Sequence, residues 1–514
     1  MSPLIEVHIT TATEEEAVRL GEALVDAQLA ACAQISGPIR SIYVWEGKKE
    51  SAQEWVCCLK SRESLFPELV ETVRKNHSYQ CPQIVAVAIQ DANGDYRQWV
   101  DAQTRGDGMH RLVACSLLPL VAASLPAGEP FRLGIVGTTS LHVVEFVQCI
   151  HASDVSEPIS RFRVTAAYPG GMPDNPISWG RVNKIAEDLE KEQGVKLYPT
   201  IEAMLPEVDG VLLLSVDGRP HLEQAKPVIA AGKPLYVNKP MAGSLADVFE
   251  IFRLAEENKT PIFSSSALRF SAGYQKMRNE KPLGEILGCN VWAPCILNPD
   301  ARQPDLFWYG VHGSEILFTM MGLGCQTVSR TQTEGGEFVV GVWDGGRIGA
   351  FRGIRSGKPD YGAIVFGTEG NGDAGGFDGY KPLVKATCEF FLTNRPPFDS
   401  AETIEIFAFM EAADWSKARG GLPVSIAEVI EKAKTETAIP VNLHLSSSGA
   451  LQLDGKAVEL VRLKETLDAL AAETPNSRVK VILHADKNTP HETVLAVCNN
   501  LGKAILANFL YENK

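Results

Sequence analysis

A basic excess is the first thing this 514-residue chain lacks: 49 Lys and Arg stand against 63 Asp and Glu, a net charge of −14. With no surplus of cations to neutralise phosphates, nucleic-acid binding is excluded as the role of the whole chain. Cysteine is also sparse, eleven residues with no CxxC pair, which excludes a disulfide scaffold and a zinc-clamp framework. Cys57 and Cys58 are adjacent, so on a strand they point to opposite faces and make no clamp. Met1 is followed by Pro3 and by alternating residues, without a basic start and apolar core, so no N-terminal signal is expected. Reduced thiols and the absence of such a signal lead to a cytoplasmic expectation. Hydrophobic residues at 45% and charged residues at 22% are globular values, which exclude a disordered chain. At roughly 100–200 residues per domain, the length predicts about three domains.

One internal segment is unusual. Met109-His110-Arg111 precedes the apolar run Leu112 to Leu125 and then Pro126-Ala127-Gly128. At 14 residues the run falls short of the roughly 20 needed to span a bilayer, so no membrane span is expected. The segment has either the form of a secretory signal, which would make the location periplasmic, or that of an apolar linker. Both readings place a domain seam at 106–130.

Before that seam, Ile5, Val7 and Ile9 alternate with polar residues as in a half-buried strand. Thr13 with Glu16 has capping-box spacing, and Ala17, Leu20, Leu24 and Ala27 follow at helical spacing. Two β-rich runs, Ser41 to Trp45 and Glu54 to Leu59, flank the turn residues Glu46-Gly47-Lys48; a helix over Ser64 to Arg74 and a strand over Ile84 to Ile89 complete the set. The order β-α-β-β-α-β is the ferredoxin-like plan. The strings LAAC (Leu29 to Cys32), SIYVWEGK (Ser41 to Lys48), HSYQCPQI (His77 to Ile84) and DYRQWV (Asp95 to Val100) resemble the CutA family of divalent-cation tolerance proteins. The resemblance implies a homotrimer and a divalent metal with Cys32 and His77 as contacts. Gln80 and Gln83 replace the two acids of the family pattern, which removes hard oxygen ligands. The domain is therefore expected to oligomerise first and bind metal second.

After the seam, the apolar strand Phe131 to Val136 runs into Gly137, and Val143 to Ile150 reads as a helix. LGIVGTTSLH stands where a dinucleotide fold carries G-x-G-x-x-G, but Thr139 and His142 hold the second and third glycine places. The second strand, Arg163 to Ala167, ends in Tyr168-Pro169 where an acid normally holds the ribose. Strands Val208 to Ser215 and Pro234 to Val237 then flank a helix over His221 to Ala231. AGKPLYVNKP (Ala231 to Pro240), LGEILG (Leu283 to Gly288), WYGVHGSE (Trp308 to Glu315), GTEG (Gly367 to Gly370) and the segment Glu402 to Val424 resemble the Gfo/Idh/MocA oxidoreductases. That resemblance implies a Rossmann domain, an open-sheet α+β domain, NAD or NADP, and a sugar- or polyol-like small-molecule substrate. It also implies Lys239 and His312 as the catalytic pair, with Gly134, Gly137, Thr138, Thr139, His142, Tyr168, Ser215, Asn238 and Lys239 around the cofactor. Asn238 replaces the family glutamate, and Trp308 replaces the aspartate four residues before the histidine. Two readings stay open: a working oxidoreductase, or a catalytically degenerate binding or scaffold module.

Past Pro423, a Glu- and Lys-rich helical linker over Val424 to Thr437 precedes short strands Pro440 to Leu445 and Ala450 to Leu453. A leucine stripe (Leu460, Leu463, Leu467, Leu470), a strand over Val479 to His484, a helix over Glu492 to Leu501 and a last strand over Ile505 to Leu510 follow. GALQLDGKAVEL (Gly449 to Leu460) and RVKVILHADKNTPHETVLAV (Arg478 to Val497) resemble the periplasmic domain of the ExbD/TolR biopolymer-transport family. Without the family's membrane helix, only the fold and a tendency to self-associate carry over. Asp486 is read as a turn acid, and His484 and His491 as unrelated.

The expected architecture is thus mixed α/β and α+β: a CutA-like domain at 1–105, a linker at 106–130, a Rossmann domain at 131–255, an α+β domain at 256–424 and an ExbD/TolR-like domain at 439–514. The alternative overall reading is a trimeric divalent-metal-binding protein.

Overall fold

A computed structural model describes residues 4–45, 48–79, 82–89, 94–104, 129–297, 304–473 and 477–512. Gln80 and the signal-like segment Met109 to Gly128 lie outside these residues. The chain forms two compact units, Met1–Ala122 and Ala123–Lys514.

The first unit is an antiparallel sheet in the order Cys32–Trp45, Lys48–Arg62, Leu4–Thr11, Ile84–Ala88, with helices Glu14–Asp26 and Phe66–Asn76. This is the ferredoxin-like arrangement. Val7 faces Leu59 and Ile9 faces Cys57 across the ladder. All four are buried, whereas their neighbours Glu6, His8, Cys58 and Lys60 take the opposite face, as a period of two requires. The two hairpin strands are much longer than the β-rich runs indicated. Gly37-Pro38 reads as a stop in the sequence, but the strand passes it through a register shift between Ser36 and Ile39. Thr13 caps the first helix by accepting the Glu16 N–H at 3.2 Å. The Glu16 carboxylate does not close the box; it accepts the N–H and hydroxyl of Ser78 at 2.7 and 2.9 Å.

The second unit opens with a six-stranded sheet in the order Ile262–Ser265, Leu235–Asn238, Gly210–Leu213, Phe131–Val136, Phe162–Tyr168, Lys196–Leu197. Every pairing is parallel, so this is a doubly wound Rossmann sheet. Strands Gly210–Leu213 and Leu235–Asn238 are buried at every residue, which explains their unbroken apolar sequence. The sheet continues past the expected seam at 255, because Ile262–Ser265 is its sixth strand. A seven-stranded sheet follows, in the order Asn371–Asp373, Gly362–Gly367, Ile286–Pro294, Ile348–Ile354, Gly336–Trp343, Cys325–Thr333, Val424–Ser425. Helix Gly310–Met321 is buried along its whole length. A Cβ on Gly313 would lie 2.0 Å from the Phe351 ring, so only glycine lets this helix lie so close to strand Ile348–Ile354.

The tail is a five-stranded sheet in the order Lys456–Val458, Leu451–Leu453, Thr437–Leu445, Ser477–Asp486, Ile505–Glu512, with helices Leu460–Glu473 and His491–Asn499. It has one short strand, Lys456–Val458, more than the sequence pattern indicates. Asp486 accepts the Ser447 N–H at 3.1 Å, a turn role. His484 and His491 do not meet: His484 stacks on His444, and His491 stacks on Trp179. The tail docks on the Rossmann domain. Met172 is buried in the tail's own core, an insertion contributing roughly 1.5–3 kcal/mol. Lys480 forms a buried ion pair with Asp247, and the His491 Nε2 is 3.1 Å from the Pro173 carbonyl. Among the described residues, no helix is long and apolar enough to cross a membrane.

Candidate functional site

The parallel strands end at a cavity of about 180 Å³. Lys239 follows strand Leu235–Asn238, Ser266 follows Ile262–Ser265, His142 opens helix Leu141–His151, and His312 comes from the buried helix of the second sheet domain. These side chains line the cavity together with Arg181, Trp308, Tyr309, Tyr361 and Tyr380. The carboxyl ends of a doubly wound sheet are where such folds bind ligands. The volume is below the roughly 300–1,000 Å³ of clefts that take drug-sized molecules, so a small ligand fits.

Lys239 and His312, the two residues expected to act together, are thus brought to one site, and His142 joins them. Lys239 is 7% exposed, with its ammonium 5.3 Å from the Tyr309 ring centre. Burial lowers its pKa to about 8, and nearby Glu315 opposes that shift. The His312 Nδ1 lies 2.7 Å from the Ser266 hydroxyl, which also accepts the Leu268 N–H at 3.3 Å. Among the described residues Nδ1 is the acceptor within reach of that hydroxyl hydrogen, which places the proton of neutral His312 on Nε2. Burial, then Lys239 and His142, hold His312 well below its ordinary pKa. His142 Nδ1 is 2.7 Å from the Asn238 Oδ1, the same oxygen that accepts the Lys239 N–H at 2.9 Å. His142 Nδ1 is consequently the donor, and burial followed by Lys239 lowers its pKa to about 3. The Asn238 Nδ2 is buried without a hydrogen-bond partner among the described residues.

Among the described residues, no carboxylate lines the cavity in place of the aspartate replaced by Trp308. Asp305 is tied to Arg330 at 2.6 Å and to Lys417 at 2.5 Å. Glu315 accepts the Ser266 N–H at 2.7 Å and the Ser265 hydroxyl at 3.2 Å. Burial raises its pKa to about 7, with Arg269 the largest opposing influence.

The expected cofactor residues divide into two sets. Gly137 has φ of 84°, and a Cβ there would lie 2.0 Å from the Ser215 Oγ, so the turn is pressed onto the neighbouring strand. Ser215 donates to Gln224 at 2.8 Å, and Gly134 packs against Met204. The phosphate turn is closed at its start. Thr138, Thr139 and Ser140 are 0%, 0% and 3% exposed. Thr138 donates to the Val182 carbonyl at 2.9 Å, Thr139 accepts the Val216 N–H at 2.9 Å, and Ser140 caps its helix through the His142 N–H. Gly171 packs against Thr139, while Tyr168 ends its strand mostly buried and brings no acid. Thr138 and Thr139 thus offer no open backbone to a pyrophosphate and Tyr168 no carboxylate to a ribose, whereas Ser140, Leu141 and His142 border the cavity.

Arg181, Ser266, Tyr309, Tyr361 and Tyr380 complete the site without having been expected there. Two had a signal: Tyr309 lies in WYGVHGSE, and Ser266 is a capping serine directly after a strand.

In the first unit, Cys32 and His77 do not come together. Cys32 pairs with Lys60, itself opposite Glu6, whereas His77 Nε2 meets the Thr10 carbonyl at 2.9 Å. Four residues along a strand separate those points by about 13 Å. The other His77 nitrogen accepts the Tyr79 N–H at 3.0 Å, so both ring nitrogens are engaged. Cys32 Sγ contacts the Tyr96 hydroxyl at 3.8 Å. A different trio, Glu6, His8 and Cys58, places its ligand atoms within 4.8 Å of one another. The Lys60 ammonium bonds two of them, Glu6 at 2.7 Å and Cys58 at 3.4 Å.

Residues 5–103 match the CutA1 divalent ion tolerance protein family, 179–265 the oxidoreductase family with an NAD-binding Rossmann fold (Gfo/Idh/MocA), and 405–510 the biopolymer transport protein ExbD/TolR family. The second match begins beyond Gly137 and Tyr168, and the third begins in helix Ser400–Ala418, before the expected limit at 439. The divalent-cation tolerance protein CutA of Thermus thermophilus is 39% identical over 98 residues, 19% of this chain and 95% of that protein. The chloroplastic CutA 1 of Oryza sativa is 38% identical over 103 residues, 20% of this chain and 58% of that protein. The structure of apo scyllo-inositol dehydrogenase from Lactobacillus casei is similar at 13% identity and a TM-score of 0.48, covering 58% of this chain and 99% of that one. The chain therefore belongs to the CutA family through its first unit, and behind it carries segments that match the Gfo/Idh/MocA oxidoreductase and ExbD/TolR families.

Proposed function

We propose that the central domain binds a small, hydroxyl-bearing sugar- or polyol-like compound in the cavity shared by Lys239, His142 and His312, and holds it for proton transfer at one oxygen. The observation that supports this most is the convergence of those three side chains, from two domains, on one cavity. Lys239 alone of the three titrates near neutrality, so it is the group suited to move the proton. The two imidazoles remain neutral in their buried setting. His312 offers its Nε2–H to the substrate oxygen, while the Nε2 of His142 accepts from a hydroxyl. Tyr309, Tyr361 and Tyr380 supply flat walls and hydroxyls. Calorimetric titration of the full chain with a panel of polyols, sugars and sugar acids tests the reading; no binding by any of them at millimolar concentration sinks it.

A second reading, turnover as an NAD- or NADP-dependent oxidoreductase, is favoured by the family match over 179–265 and by the position of Lys239. The buried turn at Thr138 to Ser140 weighs against it. Titration with NAD+ and NADP+ separates the two: cofactor binding with polyol-dependent reduction supports turnover, and no binding at millimolar cofactor leaves a ligand-binding module.

For the first unit we propose self-association, a homotrimer as the CutA resemblance implies. Ile42, Val85 and Val87 are large apolar residues left exposed on its strands, and Val85 and Val87 lie on the edge strand Ile84–Ala88, where unpaired backbone favours pairing between chains. Light scattering during gel filtration measures the assembly. A divalent metal remains the family's implied ligand, and metal analysis of the purified chain tests for it.

A further inference from the structure

The cavity has an electrostatic character that the neutral-polyol reading does not use. Among its described lining residues are two cations, Lys239 and Arg181, and no aspartate or glutamate. Lys239 is more than nine-tenths buried, yet its ammonium has no hydrogen-bond acceptor among the described residues. Arg181 likewise forms no side-chain ion pair there, and it borders the first residues of helix Leu141–His151, an end where the helix dipole favours negative charge. His312, which lines the same cavity, presents Nε2–H. Buried donors left unmatched are costly and mark the place of a missing acceptor. The nearest acid, Glu315, is turned to the Ser265 and Ser266 donors beneath the cavity. A cationic, donor-rich cavity on a chain of net charge −14 is a local inversion of sign.

We infer that the compound held by this site is a small organic anion, carrying a carboxylate or phosphate group beside its hydroxyls, with Lys239 and Arg181 as its countercharges. This deepens the ligand-binding reading above and rests on it. The carboxylate source is a sugar acid or hydroxy acid, and the phosphate source is a sugar phosphate; both present the same charged oxygens to the two cations.

The test is calorimetric titration of the full chain at pH 7 with gluconate, glucose 6-phosphate, myo-inositol and sorbitol. One or both anions should bind, and at least tenfold more tightly than the neutral polyols. Lys239→Met should weaken anion binding roughly ten- to a hundredfold, and Arg181→Gln should weaken it less. Lys239→Met keeps a long side chain and removes an unpaired buried charge, so its fold is expected to survive; a thermal melt checks this. Stronger binding by gluconate or by glucose 6-phosphate assigns the source of the anion. Neutral polyols binding as tightly as both anions, or anion affinity unchanged in Lys239→Met, overturns the inference and leaves the ligand-binding reading standing. No binding by all four overturns both.

Discussion

The Trp179 indole lies flat on the His491 imidazole, 4.9 Å between ring centres and 6° from parallel, and meets Phe509 edge-on at 5.6 Å. Trp179 closes the short helix Pro176–Trp179 of the Rossmann domain, whereas His491 and Phe509 belong to the tail sheet domain. Trp179→Ala should therefore cost about 2–3 kcal/mol, read by urea denaturation. Hydrogen exchange should rise in helix His491–Asn499, and strands Phe131–Val136 and Gly210–Leu213 should remain protected.

Gly137→Ala should destabilise the second unit by several kcal/mol, since a Cβ there meets Ser215 and a positive φ is imposed as well. The same change at Gly232, whose φ is also positive but which faces open space, should cost only about 1 kcal/mol. Comparing the two melts separates crowding from backbone strain.

Glu315 predicts a pH dependence. Its folded pKa is raised from 4.5 to about 7, so the folded state holds its proton more tightly than the unfolded chain does. Its contribution is greatest below about pH 4.5 and declines as pH rises to about 7, by roughly 3 kcal/mol in all. Glu315→Gln keeps a carbonyl oxygen for the Ser266 N–H and should remove that slope. Urea midpoints of both proteins between pH 5 and 8 give the difference; parallel curves would count against it.

His77→Ala should weaken the first unit by about 1–3 kcal/mol through its lost bonds to Thr10 and Tyr79. The loss should be the same with and without a chelator, because both ring nitrogens are already used. A loss that appears only when zinc is supplied would assign His77 to metal instead.

Much of the architecture was legible because period and punctuation agree with it. Alternation at Ile5, Val7 and Ile9, the apolar strands before Gly137 and Asn238, and the leucine stripe from Leu460 all follow local rules. The hairpin past Gly37-Pro38 was hidden because cross-strand pairing overrides a local stop. Of the site, Lys239 and His312 were found through their flanking motifs. Arg181, Tyr361 and Tyr380 stand in no motif, and only the fold brings residues 181 and 361 to one cavity. His142 was seen as a missing glycine; that its ring reaches Asn238 depends on a contact 96 positions away.

The stretch from Met172 to Arg181 has two clients. Its inner side, through Ile177 and Arg181, walls the cavity, and its outer side, through Met172 and Trp179, is gripped by the tail. Any ligand that draws Arg181 inward must act on a segment whose other face is already spoken for. Any coupling carried by this segment is reciprocal: a compound that tightens when the tail is seated must seat the tail more firmly by the same factor. The segment Met172 to Arg181 is thus where the tail, remote in sequence from Lys239, touches the wall of the cavity.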